Sequence, residues 1–135
     1  MRSGELSVAA HAPTGREFAR VVDYDIAANR VACRGLLRAS SESLTHAAIY
    51  ELDSEYLAVA HVHGRDLWRS LAGEVPTTDA GVAYGTPEMA GEFLRLYRDH
   101  DLCQARIAVM GGHEGGLISI GSTVNEAAER FLSLC

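Results

Sequence analysis

Two histidines, His61 and His63, stand one residue apart at the end of an apolar run that covers residues 56–60. Side chains alternate across a β-strand, so residues two positions apart project from the same face. Two imidazoles on one face can converge on a single cation, with metal–nitrogen bonds of about 2.0–2.1 Å. The same pattern fits a structural interpretation, in which His61 packs in the core and His63 lies at the surface. The spacing alone therefore leaves a metal site and a packed strand as open alternatives.

The segments around this pair predict an α/β fold. The apolar run before His61 and the glycine after His63 are typical of a central strand, and sites in α/β sheets lie at the carboxyl ends of strands. Further extended segments are expected at residues 5–10, 18–24, 31–36, 81–84, 105–110 and 117–120. Helices are expected over residues 40–50 and 65–71, and from Thr86 and Thr123 onward, where caps or amphipathic patterns occur. This alternation predicts one sheet with covering helices, and residues 1–135 as a single domain.

Composition narrows the class of protein. A net charge of −6 gives no large basic face for nucleic acid, and no apolar run is long enough to cross a membrane. The first five residues lack an apolar signal core. Three cysteines, Cys33, Cys103 and Cys135, are odd in number and far apart, which indicates neither a disulfide framework nor a CxxC metal site. We therefore expect a cytoplasmic location.

Lysine is absent from the sequence, and arginine supplies all 12 residues of the Lys+Arg count. Schiff-base catalysis and lysine-anchored pyridoxal phosphate both need a lysine amine, so both are excluded. If the protein stabilises a carbanion, a metal ion must serve as the electron sink.

The segment Ser40-Ser41-Glu42 opens the first predicted helix. A capping serine and a glutamate in the first turn are ordinary helix start signals. A functional interpretation is that the serines and the free N–H groups bind a phosphate or another oxyanion, with Glu42 where that ligand reacts. His46 lies four residues on and shares a helix face with Glu42, so it either orients the carboxylate or packs.

Four stretches of the sequence form an ordered set, and the last of them begins at a glycine-rich turn that carries one imidazole. They are Ser40-Ser41-Glu42 with His46; His61-Val62-His63; Gly85-Thr86-Pro87-Glu88-Met89-Ala90; and His113 in its turn, followed by Gly121 and Asn125-Glu126-Ala127. The set resembles the class II aldolase/adducin family, which comprises the zinc-dependent sugar-phosphate aldolases and their relatives. The resemblance runs from about Pro13 to the C-terminus, most of the chain.

The resemblance implies a role for each matching residue. It implies metal ligands at His61, His63 and His113, and a catalytic acid/base at Glu42. It also implies phosphate-binding loops, which here would comprise Thr14, Gly15, Ser40 and Ser41. The implied fold is a three-layer αβα sandwich with a single central sheet, and family members often form four-fold tetramers with the active site between subunits.

The implied function is that of a metal-dependent aldolase acting on a sugar or sugar phosphate. Three neutral imidazoles leave Zn²⁺ with open positions, so the metal can act as a Lewis acid that stabilises an enediolate while a carboxylate moves the proton. Mn²⁺, Co²⁺ and Fe²⁺ fit such a site as well. An epimerase or a dehydratase on the same fold is an alternative.

A non-catalytic binding or assembly domain, as in adducin, is a second hypothesis of a different class. It is motivated by departures from the family pattern, since Gly81 stands where a tyrosine is common and Tyr84 lies nearer the Gly-Thr turn. The turn that carries His113 is also about two residues longer than usual. The retained histidines favour the enzyme.

Overall fold

A computed structural model describes residues 16–134 of the chain. In chain order these residues form β1 Ala19–Asp25, β2 Arg30–Gly35, α1 Ser43–Leu52, β3 Ala58–His63, α2 Arg65–Leu71, α3 Pro87–Asp99, α4 Leu102–Ala105, β4 Ile107–Val109, β5 Gly116–Gly121 and α5 Val124–Leu132. The strand predicted over residues 5–10 lies outside the described residues. Within the described part of the chain, no helix is both long enough and apolar enough to cross a bilayer.

The described strands form two separate sheets. β1 and β2 make an antiparallel hairpin, and the second sheet has the order β3-β5-β4 with antiparallel pairing throughout. The fold is therefore mixed α/β, but the single central sheet of a three-layer sandwich is not confirmed. The central position predicted for β3 is wrong for this sheet, because β5 lies in the middle and every one of its residues is buried.

Helices cover both faces of the three-stranded sheet. Ile118 and Ile120 of β5 belong to one apolar cluster, to which α1 contributes Ile49 and α3 contributes Phe93. Leu117, on the opposite face of β5, belongs to a second cluster with residues of α5 and α2. Since burial of apolar surface is the main favourable term in folding, these two clusters fix the sheet that carries the histidines.

Local sequence signals locate three helices correctly. The Thr86 hydroxyl accepts the Met89 amide at 3.3 Å, and the Thr123 hydroxyl accepts the Glu126 amide at 3.1 Å, so both predicted caps are confirmed. α2 has the predicted bounds, and its Trp68 packs against the second apolar cluster as expected.

Three predictions of local structure need correction. Residues 105–110 do not form one strand, because α4 ends at Ala105 and Arg106 adopts a left-handed conformation with φ of 51° before the short strand β4. Residues 81–84 are a turn rather than an extended segment, since the Asp79 carboxylate accepts the Gly81 amide at 2.7 Å. Glu42 is the N-cap of α1 and not a first-turn residue, because that helix begins at Ser43.

Candidate metal centre

The pairing of β3 with β5 places the histidines at one end of the sheet. His61 lies opposite Ile118, and His63 lies opposite Gly116, the first residue of β5. The turn that connects β4 to β5 carries His113, so it lies beside the carboxyl end of β3. The expected location at the carboxyl end of a strand is thus confirmed for β3, although the sheet is antiparallel.

Hydrogen bonds from three directions hold the turn that carries His113. The Gly64 amide, just after β3, donates to the Gly115 carbonyl at 2.9 Å. The indole N–H of Trp68 in α2 donates to the Met110 carbonyl at 3.0 Å. The Gly111 amide donates to the buried Thr78 hydroxyl at 2.9 Å. These bonds join the turn to β3, to α2 and to the loop before α3.

The three predicted ligands form one cluster. One candidate ligand atom from each of His61, His63 and His113 lies within 4.8 Å of the other two, and no other group of this kind occurs in residues 16–134. The ring centroids of His63 and His113 are 4.4 Å apart, and His61 lies 4.9 Å from His63 and 5.4 Å from His113. The structure therefore brings together the three side chains that the resemblance implies as ligands, and metal binding by them stays a prediction.

Burial keeps two of these imidazoles neutral. Desolvation, with smaller effects of His63 and His113, lowers the pKa of His61 to about 3. Desolvation and His63 also lower the pKa of His113. The Nε2 atom of His61 and the Nδ1 atom of His113 are buried without a hydrogen-bond partner in the described structure. An unpaired buried polar atom costs about 1–3 kcal/mol, so a ligand that accepts these lone pairs would stabilise the cluster.

Glu42 supplies a buried carboxylate close to the histidines. Its residue is 0% exposed, and its Oε2 accepts a hydrogen bond from the Thr45 hydroxyl at 2.8 Å, while Oε1 has no partner among the described residues. Burial raises the pKa of Glu42, while the Thr45 hydroxyl, the Gly85 amide and the nearby His63 act in the opposite direction. The carboxylate thus has one oxygen held by Thr45, and its other oxygen is buried close to the Gly85 backbone.

The loop between residues 78 and 86 connects Glu42 to His113. A Cβ added at Gly85 would lie 4.0 Å from Oε1 of Glu42, which shows how closely this backbone approaches the carboxylate. The neighbouring Tyr84 stacks on His113, with ring centroids 4.2 Å apart and an interplanar angle of 24°. Sequence reasoning missed the contacts of both Thr45 and Tyr84. For Thr45 a signal existed, because residues three apart on a helix are neighbours.

His46 does not orient the Glu42 carboxylate, since Thr45 makes that contact. The His46 side chain lines a groove of about 740 Å³ between α1 and β1, together with Tyr24 and Glu51. Its Nε2 atom is buried without a hydrogen-bond partner in the described structure, and burial lowers its pKa to about 4. The packing alternative is therefore the better description of His46.

The predicted phosphate loops are described only in part. Thr14 and Gly15 lie outside the described residues. The Ser40 hydroxyl accepts the Glu42 amide at 3.1 Å, and the Ser40 carbonyl accepts the Ser43 hydroxyl at 2.7 Å. Ser41 is exposed beside Gly85. These contacts build the start of α1, and phosphate binding by the two serines stays a prediction.

Comparison with known proteins adds one finding. A family model described as Class II Aldolase and Adducin N-terminal domain matches residues 3–134, nearly the whole chain. No curated protein and no solved structure matches the chain.

Proposed function

The chain belongs to the class II aldolase and adducin family, and from that premise we propose that it is a metal-dependent aldolase acting on a sugar or sugar phosphate. The observation that carries the proposal is the cluster of His61, His63 and His113 with a buried carboxylate, Glu42, close by. A family domain with a non-catalytic role has no need of a buried carboxylate with a raised pKa next to three imidazoles.

The donor set fits a divalent cation. Two ring nitrogens of the cluster are buried without partners, and low pKa values keep those imidazoles neutral, as metal ligands must be. Nitrogens within 4.8 Å of one another need only small side-chain rotations to share one ion with bonds of about 2.0–2.1 Å. Zn²⁺ suits three imidazoles best, and Mn²⁺, Co²⁺ or Fe²⁺ are the alternatives.

In this proposal Glu42 moves the proton. A bound cation would polarise the carbonyl group of a hydroxyketone as a Lewis acid. The Thr45 hydroxyl holds Oε2 of Glu42 at 2.8 Å, so Oε1, which is buried without a side-chain partner, is the oxygen that would exchange a proton with the substrate. Because burial raises the pKa of Glu42, the carboxylate is a stronger base than an exposed glutamate.

The finer features of the proposal concern substrate and assembly. Ser40 and Ser41 lie beside Glu42 at the start of α1, so they would contact a phosphate group of the substrate, together with Thr14 and Gly15. We further propose a homo-oligomer, a tetramer by family analogy, with the sheet in a three-layer sandwich and the protein in the cytoplasm. Exposed apolar side chains on and beside the β1–β2 hairpin support assembly: Phe18, Val22, Leu36 and Leu37.

Metal analysis of the purified protein is the first test of the metal site. We expect about one Zn²⁺ per chain after titration, and loss of tight binding in His61→Ala, His63→Ala and His113→Ala with unchanged circular dichroism, because each variant removes one of three protein ligands. The matched control is His100→Ala, since His100 is an exposed histidine at the end of α3. A variant that kept stoichiometric metal would remove that histidine from the ligand set.

Turnover separates the proposed enzyme from the alternatives. Retro-aldol cleavage should be measured on a panel of ketoses and ketose 1-phosphates, with metal added. Cleavage of any of them supports the proposal, whereas metal-dependent proton exchange without cleavage favours an epimerase or a dehydratase. A protein that fails to bind added Zn²⁺ and cleaves nothing favours the non-catalytic binding domain.

A further inference from the structure

Tyr84 is the aromatic residue that packs directly on a candidate ligand. Its ring stacks on His113 at a centroid distance of 4.2 Å and an angle of 24°, although 51% of the residue is exposed. A half-exposed tyrosine on a loop usually points into solvent, so the near-parallel stack of Tyr84 on one imidazole indicates a specific contact.

The backbone around Tyr84 is fixed on both sides. On the N-terminal side, a Cβ at Gly112 would overlap the Val82 carbonyl, so only glycine permits this contact between the loop and the turn of His113. On the C-terminal side, the Thr86 hydroxyl donates to the Ala83 carbonyl at 2.7 Å. Tyr84 is therefore presented to His113 by a braced segment and is not a freely moving surface side chain.

His113 lacks the hydrogen bond that usually orients a metal-binding histidine. Such a histidine commonly donates its second ring N–H to a carboxylate or a carbonyl group, which fixes the ring. Whichever ring nitrogen of His113 binds the cation, no residue in the described part of the chain accepts a hydrogen bond from the other one. The neighbouring glycines, Gly112 and Gly115, offer no side chain to pack on the ring. The Tyr84 ring, stacked in near-parallel fashion on His113, therefore limits rotation of this imidazole together with the edge-on ring of His63, 4.4 Å away.

We propose that Tyr84 is a positioning residue that holds the His113 imidazole in its metal-binding orientation and thereby sets the affinity of the site. The proposal rests on the metal site proposed above. Residues that orient metal ligands typically change metal affinity by about 10–100-fold when replaced. A stack on one of three ligands belongs at the lower end, so we expect about tenfold weaker binding in Tyr84→Ala.

Two variants separate the ring from the hydroxyl group. Tyr84→Phe keeps the stacked ring, and Tyr84→Ala removes it. Zn²⁺ dissociation constants are measured by competition with a chromophoric chelator. Tyr50→Ala is the control, since Tyr50 is a half-exposed tyrosine on α1 that lines the groove with His46 and makes no ring contact with the three candidate ligands. We expect wild-type affinity in Tyr84→Phe and Tyr50→Ala. Equal affinity in Tyr84→Ala and wild type, or equally weakened binding in Tyr84→Phe, would overturn the proposal.

A second readout does not depend on metal. In the metal-free protein, the stacked ring should shift the His113 ring protons upfield in NMR spectra. This shift should persist in Tyr84→Phe and vanish in Tyr84→Ala, and an unaltered shift in Tyr84→Ala would show that the stack is not formed. If the wild-type protein binds no Zn²⁺, the metal site itself is refuted and the role of Tyr84 falls with it, whatever the NMR result. Normal wild-type binding with no effect of Tyr84→Ala refutes the role of Tyr84 alone.

Discussion

Glu42→Gln replaces a buried carboxylate with a neutral group of the same shape. The glutamine oxygen can still accept the Thr45 hydroxyl, which lies 2.8 Å from Oε2 of Glu42, and the NH₂ group takes the position of the unpaired Oε1. The variant thus keeps the shape of the site and removes its proton acceptor. Metal content should stay at the wild-type level, because the histidines are untouched.

In Glu42→Gln, the expected loss of turnover is large and the expected change in the free energy of unfolding is small. Positioned acid–base catalysis contributes about 10²–10⁴-fold, so turnover should fall by that factor. For stability, a hydrogen bond to a charged group contributes about 1.5–3 kcal/mol and a neutral one about 0.5–1.5 kcal/mol, so the Thr45 bond weakens by about 1 kcal/mol. Removal of a buried charge acts in the opposite direction, so the free energy of unfolding should change by no more than about 1 kcal/mol.

The pH dependence of stability gives a separate check on Glu42. Burial raises its folded-state pKa above the unfolded value, so the folded protein binds the proton more tightly. The free energy of unfolding contributed by this group therefore falls as pH rises through the interval between the two pKa values. Metal-free Glu42→Gln should lack this fall, and should gain stability relative to wild type at pH 8 compared with pH 4.

The assay combines proton exchange with chemical denaturation. Deuterium exchange at the ketose carbon next to the carbonyl is followed by NMR, and unfolding is followed by circular dichroism. Glu88→Gln is the matched control, since Glu88 is an exposed carboxylate in the first turn of α3, where it contributes about 0.3–1 kcal/mol through the helix dipole. Wild-type exchange in Glu42→Gln would refute the assigned role and leave Glu42 as a residue of the helix start.

Two further predictions concern the rest of the molecule. Since burial lowers the folded-state pKa of His46 to about 4 from the ordinary 6.5, the unfolded chain binds the extra proton, and His46 should contribute a loss of up to about 3 kcal/mol in the metal-free protein as pH falls from 6.5 to 4. His61 and His113, whose pKa values are also lowered, act in the same direction, so His46→Gln should reduce the slope of urea-derived free energies of unfolding over this window without abolishing it. An unchanged slope would contradict the effect. The homo-oligomer should appear in light scattering at micromolar concentration, and Leu36→Glu, at a residue that is 79% exposed, should weaken it without unfolding the subunit. A monomeric wild type would refute the assembly.

The sequence predicts those features that depend on near neighbours in the chain. Strand alternation is enough to place His61 and His63 on one face, and the caps at Thr86 and Thr123 need only residues three positions away. The resemblance added His113 as a ligand and the acid/base role of Glu42. Their proximity to the His61–His63 pair follows from the tertiary fold of the family, which the hydrophobic periodicity of one sequence does not reveal.

The features missed by the sequence depend on contacts between distant segments. The middle position of β5 follows from packing on both of its faces. Its short apolar sequence is equally typical of an ordinary hairpin strand, so the sequence does not identify it as the middle strand. The stack of Tyr84 on His113 requires the close approach of Val82 and Gly112, which no local signal indicates. The left-handed conformation of Arg106 is a tertiary effect too, since arginine has no intrinsic preference for it.

The register between β3 and β5 determines when in folding a competent site exists. A slip of one residue would turn His61 and His63 to the opposite face of the sheet, away from the turn of His113. Because His63 pairs with Gly116, which is distant in the chain, the site forms only after a slow long-range contact. A cation that requires all three imidazoles would bind the correct register and no slipped one, and would draw the population toward the native pairing as it binds. Zinc added during refolding would then raise the yield of native protein rather than the rate of collapse.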